Sequence, residues 1–310
     1  MAKYESLVIG GGPAGMTAAL YTTRLGHNTL IINAGGGRAA MMKDTHNVIG
    51  IPEDTSGIEF IQTGWEQLDE YGTDQVRDKV VSAEQISDEE FRVQTSNGDT
   101  YTTENIVLAT GFSDETPDPP LPPTGRGLHY CLHCDAYMFR DESVYVMGYG
   151  EGAAHVAMIM LNFTDEVDLL TRGDSIEWSD KTDELLRAHP IDIIHEDIVG
   201  IEKDDDGWLK ALEFEDGSIR QYRGGFAMYG SNYHTELATQ LGCELNEDGT
   251  IAVDDSNQSS ISGVYAVGDI TSGHNQIPVA LGEGAKVGID IHYNTRDYPK
   301  SLEELTREDT

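Results

Sequence analysis

The sequence of 310 residues is poor in positive charge, with 20 lysines and arginines against 55 aspartates and glutamates, a formal net charge of −35. Nucleic acids and anionic membranes would repel such a chain, which excludes functions that depend on phosphate contacts. The acidic residues are dispersed instead of forming a tail, and 38% of the residues are hydrophobic. A folded protein is therefore expected, because disordered acidic chains lack core-forming segments.

The dispersed acidity is typical of proteins from salt-accumulating halophiles. Molar salt shortens the screening length to about 3 Å, so the repulsion between surface carboxylates largely disappears there. At low salt the same repulsion would destabilise a compact fold. The composition predicts a halophilic protein, with an ordinary acidic mesophile protein as the alternative.

Cysteine and long apolar runs are scarce as well. Cys131 and Cys134 form one C-x-x-C and Cys243 stands alone, which excludes the multiple-disulfide framework of small secreted domains. No segment reaches the roughly 18 apolar residues that span a membrane. The N-terminal residues lead into a strand without a signal-peptide hydrophobic region. We predict a cytoplasmic protein that binds neither membrane nor nucleic acid.

The N-terminal segment predicts a β-turn-α-β unit. A strand at 7–9 ends in glycines, a helix is expected over 16–25, and a second strand follows at 29–32. This context is typical of dinucleotide binding, because a glycine lets the backbone approach a pyrophosphate and a helix N-terminus directs free N–H groups at it. The loop residues are Gly10, Gly12, Pro13, Ala14 and Gly15. Asn33 stands where an acidic residue usually binds the ribose, and its amide can still hydrogen-bond a hydroxyl.

A second unit of the same kind begins with a strand at 144–147, followed by a helix over 154–161 and a strand at 167–170. Its G-x-G-x-x-A residues are Gly148, Gly150 and Ala153. Beyond the last strand, Arg172 is the basic residue closest to where an NADP site needs arginines for the 2′-phosphate. Between positions 165 and 206 there are fifteen acidic and four basic residues, an unfavourable surround for that phosphate.

The two units predict an α/β fold of two Rossmann-like, three-layer dinucleotide-binding domains, the second inserted into the first. A proline-rich linker over 113–124 separates them, and a buried-type strand near 263–269 belongs to the first domain again. We assign residues 1–113 and 231–310 to the first domain. Residues 114–230 form the second domain, which also carries the C-x-x-C.

The C-x-x-C suits thiol–disulfide exchange, because one thiolate attacks a disulfide and the second thiol resolves the mixed disulfide. Asp135 follows directly and can donate or accept the proton of a departing thiolate. A zinc site with His129 and His133 is the alternative, but it lacks a second cysteine pair, and no metal site is predicted. His129 and His133 are interpreted as packing or charge-tuning residues.

Six segments together resemble the low-molecular-weight thioredoxin reductases. They are GGGPAG at 10–15, ATG at 109–111, CLHCD at 131–135, GYGEGA at 148–153, GVYAVGD at 263–269 and NQIPVALGEGAKVG at 275–288. They occur in the family's order and span nearly the whole chain. The chain is thus similar to this family of FAD-dependent disulfide reductases, and the charge points to a member from a salt-accumulating archaeon.

The resemblance implies FAD on the first loop and roles for several residues. Cys134 would take electrons from the flavin, Cys131 would attack the substrate disulfide, and Asp135 would be the acid. A thioredoxin-like substrate, a homodimer and a domain rotation about the segments near Ser113 and Gly230 are implied too. The FAD contacts implied outside the loop are Asn33, Gly111, Gly268, Asp269, Gln276 and Ile277.

The electron donor stays open in the sequence. The family's NADPH signature, H-R-R followed by a further Arg, appears here as Thr171, Arg172, Gly173 and Glu177. We rank NADH first, NADPH second and a ferredoxin-type donor third. A dithiol oxidase of the same superfamily and a non-catalytic flavin redox sensor are the alternative functions.

Overall fold

The structure is a computed structural model, and it describes residues 2–296 in two compact units. Unit 1 comprises residues up to Met42, Thr55–Ser113 and the chain from Tyr233 onward. Unit 2 comprises Lys43–Asp54 and Asp114–Asn232. The second unit is therefore inserted into the first, and a short segment before Thr55 groups with it.

The described residues form short strands and helices in mixed order. The strands are β1 Ala2–Ile9, β2 Thr29–Ile32, β3 Asp74–Val76, β4 Val80–Ser87, β5 Glu90–Thr95, β6 Thr100–Leu108, β7 Phe112–Asp114, β8 Leu128–His129, β9 Val144–Met147, β10 Val167–Leu170, β11 Ile191–Ile194, β12 Ile198–Lys203, β13 Leu209–Phe214, β14 Ile219–Gln221, β15 Gly224–Ala227, β16 Ser231–Tyr233 and β17 Val264–Ala266. The helices are α1 Pro13–Arg24, α2 Gly57–Glu70, α3 Leu132–Asp135, α4 Glu151–Met160, α5 Asp180–Ala188, α6 Glu236–Leu241 and α7 Ile277–Thr295, with 3₁₀ turns at Arg38–Met41 and Ala136–Phe139.

Unit 1 is built on one mixed sheet in the order β3-β2-β1-β6-β5-β4, with β17 also paired to β6. The pairs among β3, β2, β1, β6 and β17 are parallel, whereas β4 and β5 are antiparallel. Both faces are buried in β2 and in the last residues of β1 and β6, so the segments 29–32, 7–9 and 106–108 are mainly apolar. Leu7 packs on the side of β4, β5 and α6, and the next residue, Val8, packs on the side of α1 and α7.

Unit 2 has the three layers expected of a dinucleotide-binding domain. Its parallel sheet runs β11-β10-β9-β15-β8. Val146 of β9 packs against α4 on one face, and the neighbouring Tyr145 packs against the antiparallel sheet β12-β13-β14 on the other. The predicted α/β class with Rossmann-like units is confirmed. Strands β7 and β16 form a separate two-stranded sheet, and the boundaries at 113/114 and 232/233 fall within them.

Helices α1 and α7 of unit 1 pack closely because two glycines of α7 face α1. A Cβ at Gly284 would lie 2.3 Å from the carbonyl oxygen of Ala14, and a Cβ at Gly288 would lie 2.5 Å from Cβ of Tyr21. Any side chain at these positions would push the two helices apart. None of the helices in the described part of the chain is both long and apolar enough to cross a membrane.

A histidine pair, of which His27 is buried and His292 is half-buried, lies near the C-terminal ends of the same two helices. His27 Nε2 is 3.2 Å from His292 Nδ1, and the His27 side chain is fully buried. Burial lowers the pKa of His27, and the nearby charge of Glu5 opposes this only in part. The folded protein therefore binds a proton at His27 less readily than the unfolded chain does.

We expect this histidine to make the stability fall with acidification. Because the unfolded state binds more protons below its own pKa of 6.5, the free energy of unfolding should decrease as the pH drops below that value, by at most about 1.4 kcal/mol per pH unit. His27→Gln should lose this component, and exposed His46→Gln should retain it. Urea midpoints at about pH 7.5 and 5.5 measure it. Equal acid dependence in the wild type and His27→Gln would contradict the assignment.

Candidate functional site

The first glycine loop requires glycine at two of its positions. Gly10 has φ +111°, and a Cβ there would lie 2.2 Å from the carbonyl oxygen of Ala109. A Cβ at Gly15 would lie 2.0 Å from the carbonyl oxygen of Gly10. Strand β1, helix α1 and the end of β6 can therefore approach each other only with glycine here. These two glycines therefore serve the packing of the loop within unit 1.

Gly12 serves a different purpose, since it leaves space. It is the N-cap of α1, without a side-chain cap, and no atom lies within 4 Å of an added Cβ. Pro13 begins the helix, so its missing N–H costs no hydrogen bond. The Asn33 side chain accepts a hydrogen bond from the N–H of Gly11 at 3.2 Å. An open helix N-terminus beside a fixed polar amide suits a pyrophosphate and its sugar.

The segment after β17 reaches the same loop. A Cβ at Gly268 would lie 2.9 Å from Cβ of Ala14, and helix α7 begins with Ile277 after its N-cap Gln276. Gly268 N–H donates to Glu283 Oε2 at 2.6 Å, and burial raises the pKa of that carboxyl. Glu283 was not singled out from the sequence, because its contact with Gly268 exists only after folding.

These observations fit FAD. The predicted loop and the turn after β17 follow the carboxyl ends of parallel strands in the unit 1 sheet. The N-termini of α1 and α7 begin at the same edge of this sheet. Gly111, with φ +61°, extends the set at the end of β6. Asp269 follows Gly268 directly and has interactions of its own.

The second glycine loop has the same construction in unit 2. Gly148 has φ +146°, and a Cβ there would lie 2.6 Å from the Met228 carbonyl oxygen and 2.8 Å from Cβ of Ala153. Gly150 is the uncapped N-cap of α4, with open space beside it. A dinucleotide pyrophosphate therefore fits this loop too.

Glu151, the first residue of α4, was not singled out from the sequence. Its carboxylate accepts hydrogen bonds from Ser179 N and Thr182 Oγ1, both at 2.7 Å. These bonds lower the pKa of Glu151. The carboxylate thus ties the N-terminus of α4 to that of α5.

The 2′-phosphate side of the second loop does not fit NADPH. The Arg172 side chain is 5% exposed. It donates to Asp197 Oδ1 from Nε and to the Asp118 carbonyl from Nη1, both at 2.7 Å. Its guanidinium is neutralised and directed away from solvent, whereas phosphate recognition needs a free, bidentate fork. Arg172 therefore lies at the turn that the sequence predicts, but its side chain is bonded to Asp197 and Asp118.

Two tyrosines lie at the carboxyl ends of the central strands of unit 2. The rings of Tyr149 and Tyr229 pack edge to face, with centroids 5.7 Å apart. Strands β9 and β15 flank the point where the strand order reverses, which is where open α/β sheets bind ligands. The Tyr229 hydroxyl is buried without a hydrogen-bond partner among the described residues, and burial raises its pKa to about 12. An unpartnered hydroxyl here suits a polar ligand.

The cysteine pair forms a disulfide on the single turn α3. Cys131 and Cys134 have an S–S distance of 2.06 Å and a Cα–Cα distance of 5.3 Å. Cys131 Sγ accepts a hydrogen bond from the N–H of Cys134 at 3.2 Å, which also stabilises a thiolate at that sulfur. Cys243 lies apart, 7% exposed, in the core of unit 1, and burial raises its pKa.

Asp135 ends the same turn and is held by two contacts. Its N–H donates to the Cys131 carbonyl at 3.2 Å, and its Oδ2 lies 2.8 Å from His129 Nδ1. His129 is on β8, directly before the turn. The sequence offered no means to distinguish this contact from simple packing.

Comparison of the chain with known protein families and solved structures agrees with this geometry. The model of the pyridine nucleotide-disulphide oxidoreductase family matches residues 4–284. The chain belongs to this family.

Relatives in this family include the thioredoxin reductase of Aquifex aeolicus, which is 29% identical over 93% of this chain and 92% of its own length. The crystal structure of thioredoxin reductase from Streptococcus pyogenes superposes with a TM-score of 0.86 at 28% identity, over 94% of this chain and 98% of that one. A putative thioredoxin reductase from Bacillus anthracis reaches 0.83 at 26% identity, over 99% and 100%. The chain is an FAD-dependent disulfide reductase, and the cofactors are FAD and NAD(P)H.

Proposed function

We propose that the chain reduces the disulfide of a thioredoxin-like protein with electrons from NADH. The observation that carries this is the Cys131–Cys134 disulfide with Asp135 on the same turn. Bound FAD supplies the electron pair that reduces this disulfide. The relatives' name supports thioredoxin as the substrate class.

The two cysteines have different roles in the proposal. Cys131, whose sulfur receives an N–H hydrogen bond, attacks the substrate disulfide as a thiolate. Cys134 then attacks the sulfur of Cys131, which releases the reduced substrate and restores the enzyme disulfide. Asp135 donates and accepts the protons of the sulfurs. In the reductive half of the cycle Cys134 is the sulfur that receives electrons.

A protein substrate is favoured by exposed apolar side chains beside the disulfide. Tyr137 is 75% exposed and Met138 is 41% exposed, in the 3₁₀ turn that follows α3 directly. Exposed apolar groups next to a reactive centre are suited to docking a macromolecule, whereas a small disulfide needs no such surface.

NADH is favoured because Arg172 is not available for a 2′-phosphate. The Asp197 carboxylate and the Asp118 carbonyl occupy its guanidinium, and Glu177 stands where the family has a further arginine. A 2′-phosphate would face carboxylates, while the neutral 2′-hydroxyl of NADH meets no such repulsion.

The proposal is tested by adding each electron donor anaerobically and measuring the loss of flavin absorbance as the flavin is reduced. At molar KCl, NADH should bleach the flavin at least about 10-fold more efficiently than NADPH, since one lost charge contact costs about 1.4 kcal/mol or more. Glu177→Arg should shift the preference towards NADPH by about 10-fold. Glu184→Arg, which makes the same charge change on α5, should not.

Four outcomes would overturn parts of the proposal. Preference for NADPH would contradict the donor. Bleaching by reduced ferredoxin alone would replace the nicotinamide by a ferredoxin-type donor. Dithiol-dependent peroxide formation without disulfide reduction would make the protein a dithiol oxidase, and a flavin that no donor bleaches would make it a redox sensor.

We also propose FAD contacts from the residues around the first loop, a homodimeric assembly and a cytoplasmic location. The loop geometry around Gly10, Gly12 and Gly15 supports the first of these. The cysteine usage supports the last, because Cys243 is buried and unpaired and the other two cysteines form the redox pair.

A further inference from the structure

Only one ring nitrogen of His129 has a hydrogen-bond partner among the described residues. Its Nδ1 faces Asp135 Oδ2 at 2.8 Å, while its Nε2 is buried with no hydrogen-bond partner among the described residues. The ring packs edge-on against Phe139, with centroids 5.1 Å apart, and lies 6.0 Å from Phe226. A proton on Nε2 would have no acceptor, so the ring carries its proton on Nδ1 and donates it to Asp135.

Asp135 consequently has two unlike carboxyl oxygens. Oδ2 accepts from His129, whereas Oδ1 has no hydrogen bond among the described residues. The backbone N–H of Asp135 is bonded to the carbonyl of Cys131, which anchors the carboxyl to the redox turn. Since the imidazole occupies Oδ2, the proton that Asp135 exchanges with sulfur is carried on Oδ1.

We propose that His129 is a positioning residue for thiol–disulfide exchange, which holds Asp135 so that Oδ1 delivers and recovers the proton. The inference rests on the cysteine roles proposed above. It adds a residue that touches neither sulfur nor substrate. It also accounts for a polar ring in an otherwise apolar pocket, because a phenylalanine would pack there without serving the carboxyl.

The exchange balances with one proton on Asp135. The Cys131 thiolate attacks one sulfur of the substrate disulfide, that S–S bond breaks, and the departing thiolate takes the proton from Oδ1. Cys134 then returns its thiol proton to Oδ1 and attacks Cys131, and the second substrate sulfur leaves as a thiolate. The cysteine pair loses two electrons, which the substrate gains.

The test uses the full-length protein with bound FAD, reduced beforehand with dithiothreitol and desalted. Single-turnover exchange is followed with two small disulfides. Hydroxyethyl disulfide releases a basic alkyl thiolate that needs a proton, and dithionitrobenzoate releases a weakly basic aromatic thiolate that does not. His129→Phe, which preserves the packing, should slow the first reaction about 10-fold and the second less than about 2-fold. His129→Asn, whose amide N–H can reach Oδ2, should recover part of the rate.

A double-mutant cycle and a control complete the design. In an Asp135→Asn background, His129→Phe should have no further effect, because the carboxyl it orients is gone. His189→Asn, at the exposed residue directly after α5, should behave as wild type. Equal slowing with both disulfides, no slowing with either, or full additivity with Asp135→Asn would overturn the role of His129. A reduced wild type that reacts with neither disulfide would instead overturn the proposed cysteine roles.

Discussion

Replacing Cys134 by serine is expected to abolish turnover and to leave Cys131 able to capture the substrate protein covalently. Without a resolving thiol, the mixed disulfide formed by Cys131 has no intramolecular exit. Dithionite titration of the flavin protein should also consume two electrons fewer than in the wild type, because the disulfide couple is missing. Non-reducing electrophoresis with a thioredoxin-like protein detects the captured complex.

Two further variants make this result specific. Cys131→Ser should lose the same two electrons but capture no substrate, because the attacking sulfur is gone. Cys243→Ala should titrate and turn over as wild type, since Cys243 lies buried in the core of unit 1. Turnover of Cys134→Ser at the wild-type rate, or capture by Cys131→Ser instead, would show that the cysteine roles are wrong.

The melting temperature should rise by about 10 °C or more between about 0.1 M and 3 M KCl. The net charge of −35 makes the folded chain repel itself at low salt. Salt screens this repulsion more in the compact state, where the carboxylates are closer together. Differential scanning calorimetry at constant pH measures the effect.

A charge-reduced variant separates screening from other salt effects. It replaces by their amides five exposed acidic residues that make no side-chain hydrogen bond within the described part of the chain: Glu53, Glu89, Asp205, Glu247 and Asp255. We expect a smaller salt dependence and a higher melting temperature at low salt than in the wild type. A wild-type melting temperature that stays flat across this range would contradict the halophilic interpretation.

Much of the fold could be predicted because its elements are locally encoded. Positive φ or close approach requires the glycines at 10, 15 and 148, while those at 12 and 150 leave open space at helix N-termini. Such constraints are visible in a single sequence. Helix starts were less predictable. The predicted helix over 16–25 begins in fact at Pro13, and the one over 154–161 begins at Glu151, because residues of the glycine loops form the first turns.

The candidate site was predictable where a motif carries it and not where a contact does. Cys131, Cys134 and Asp135 follow from their spacing. The bond between His129 and Asp135, the burial of Glu283 beneath Gly268 and the tie of Glu151 to α5 depend on side chains brought together by folding. No periodicity or spacing records such contacts.

The sequence by itself determined the net charge and the redox chemistry of this protein. A deficit of basic residues sets its long-range charge, and that deficit is the same however the chain folds. Only the tertiary structure decided what the few remaining cations do. Arg172 is present in the predicted position, yet its donors are bonded to Asp197 and to the Asp118 carbonyl. A guanidinium that is already paired and desolvated cannot also bind a phosphate, and pairing of this kind exists only after folding.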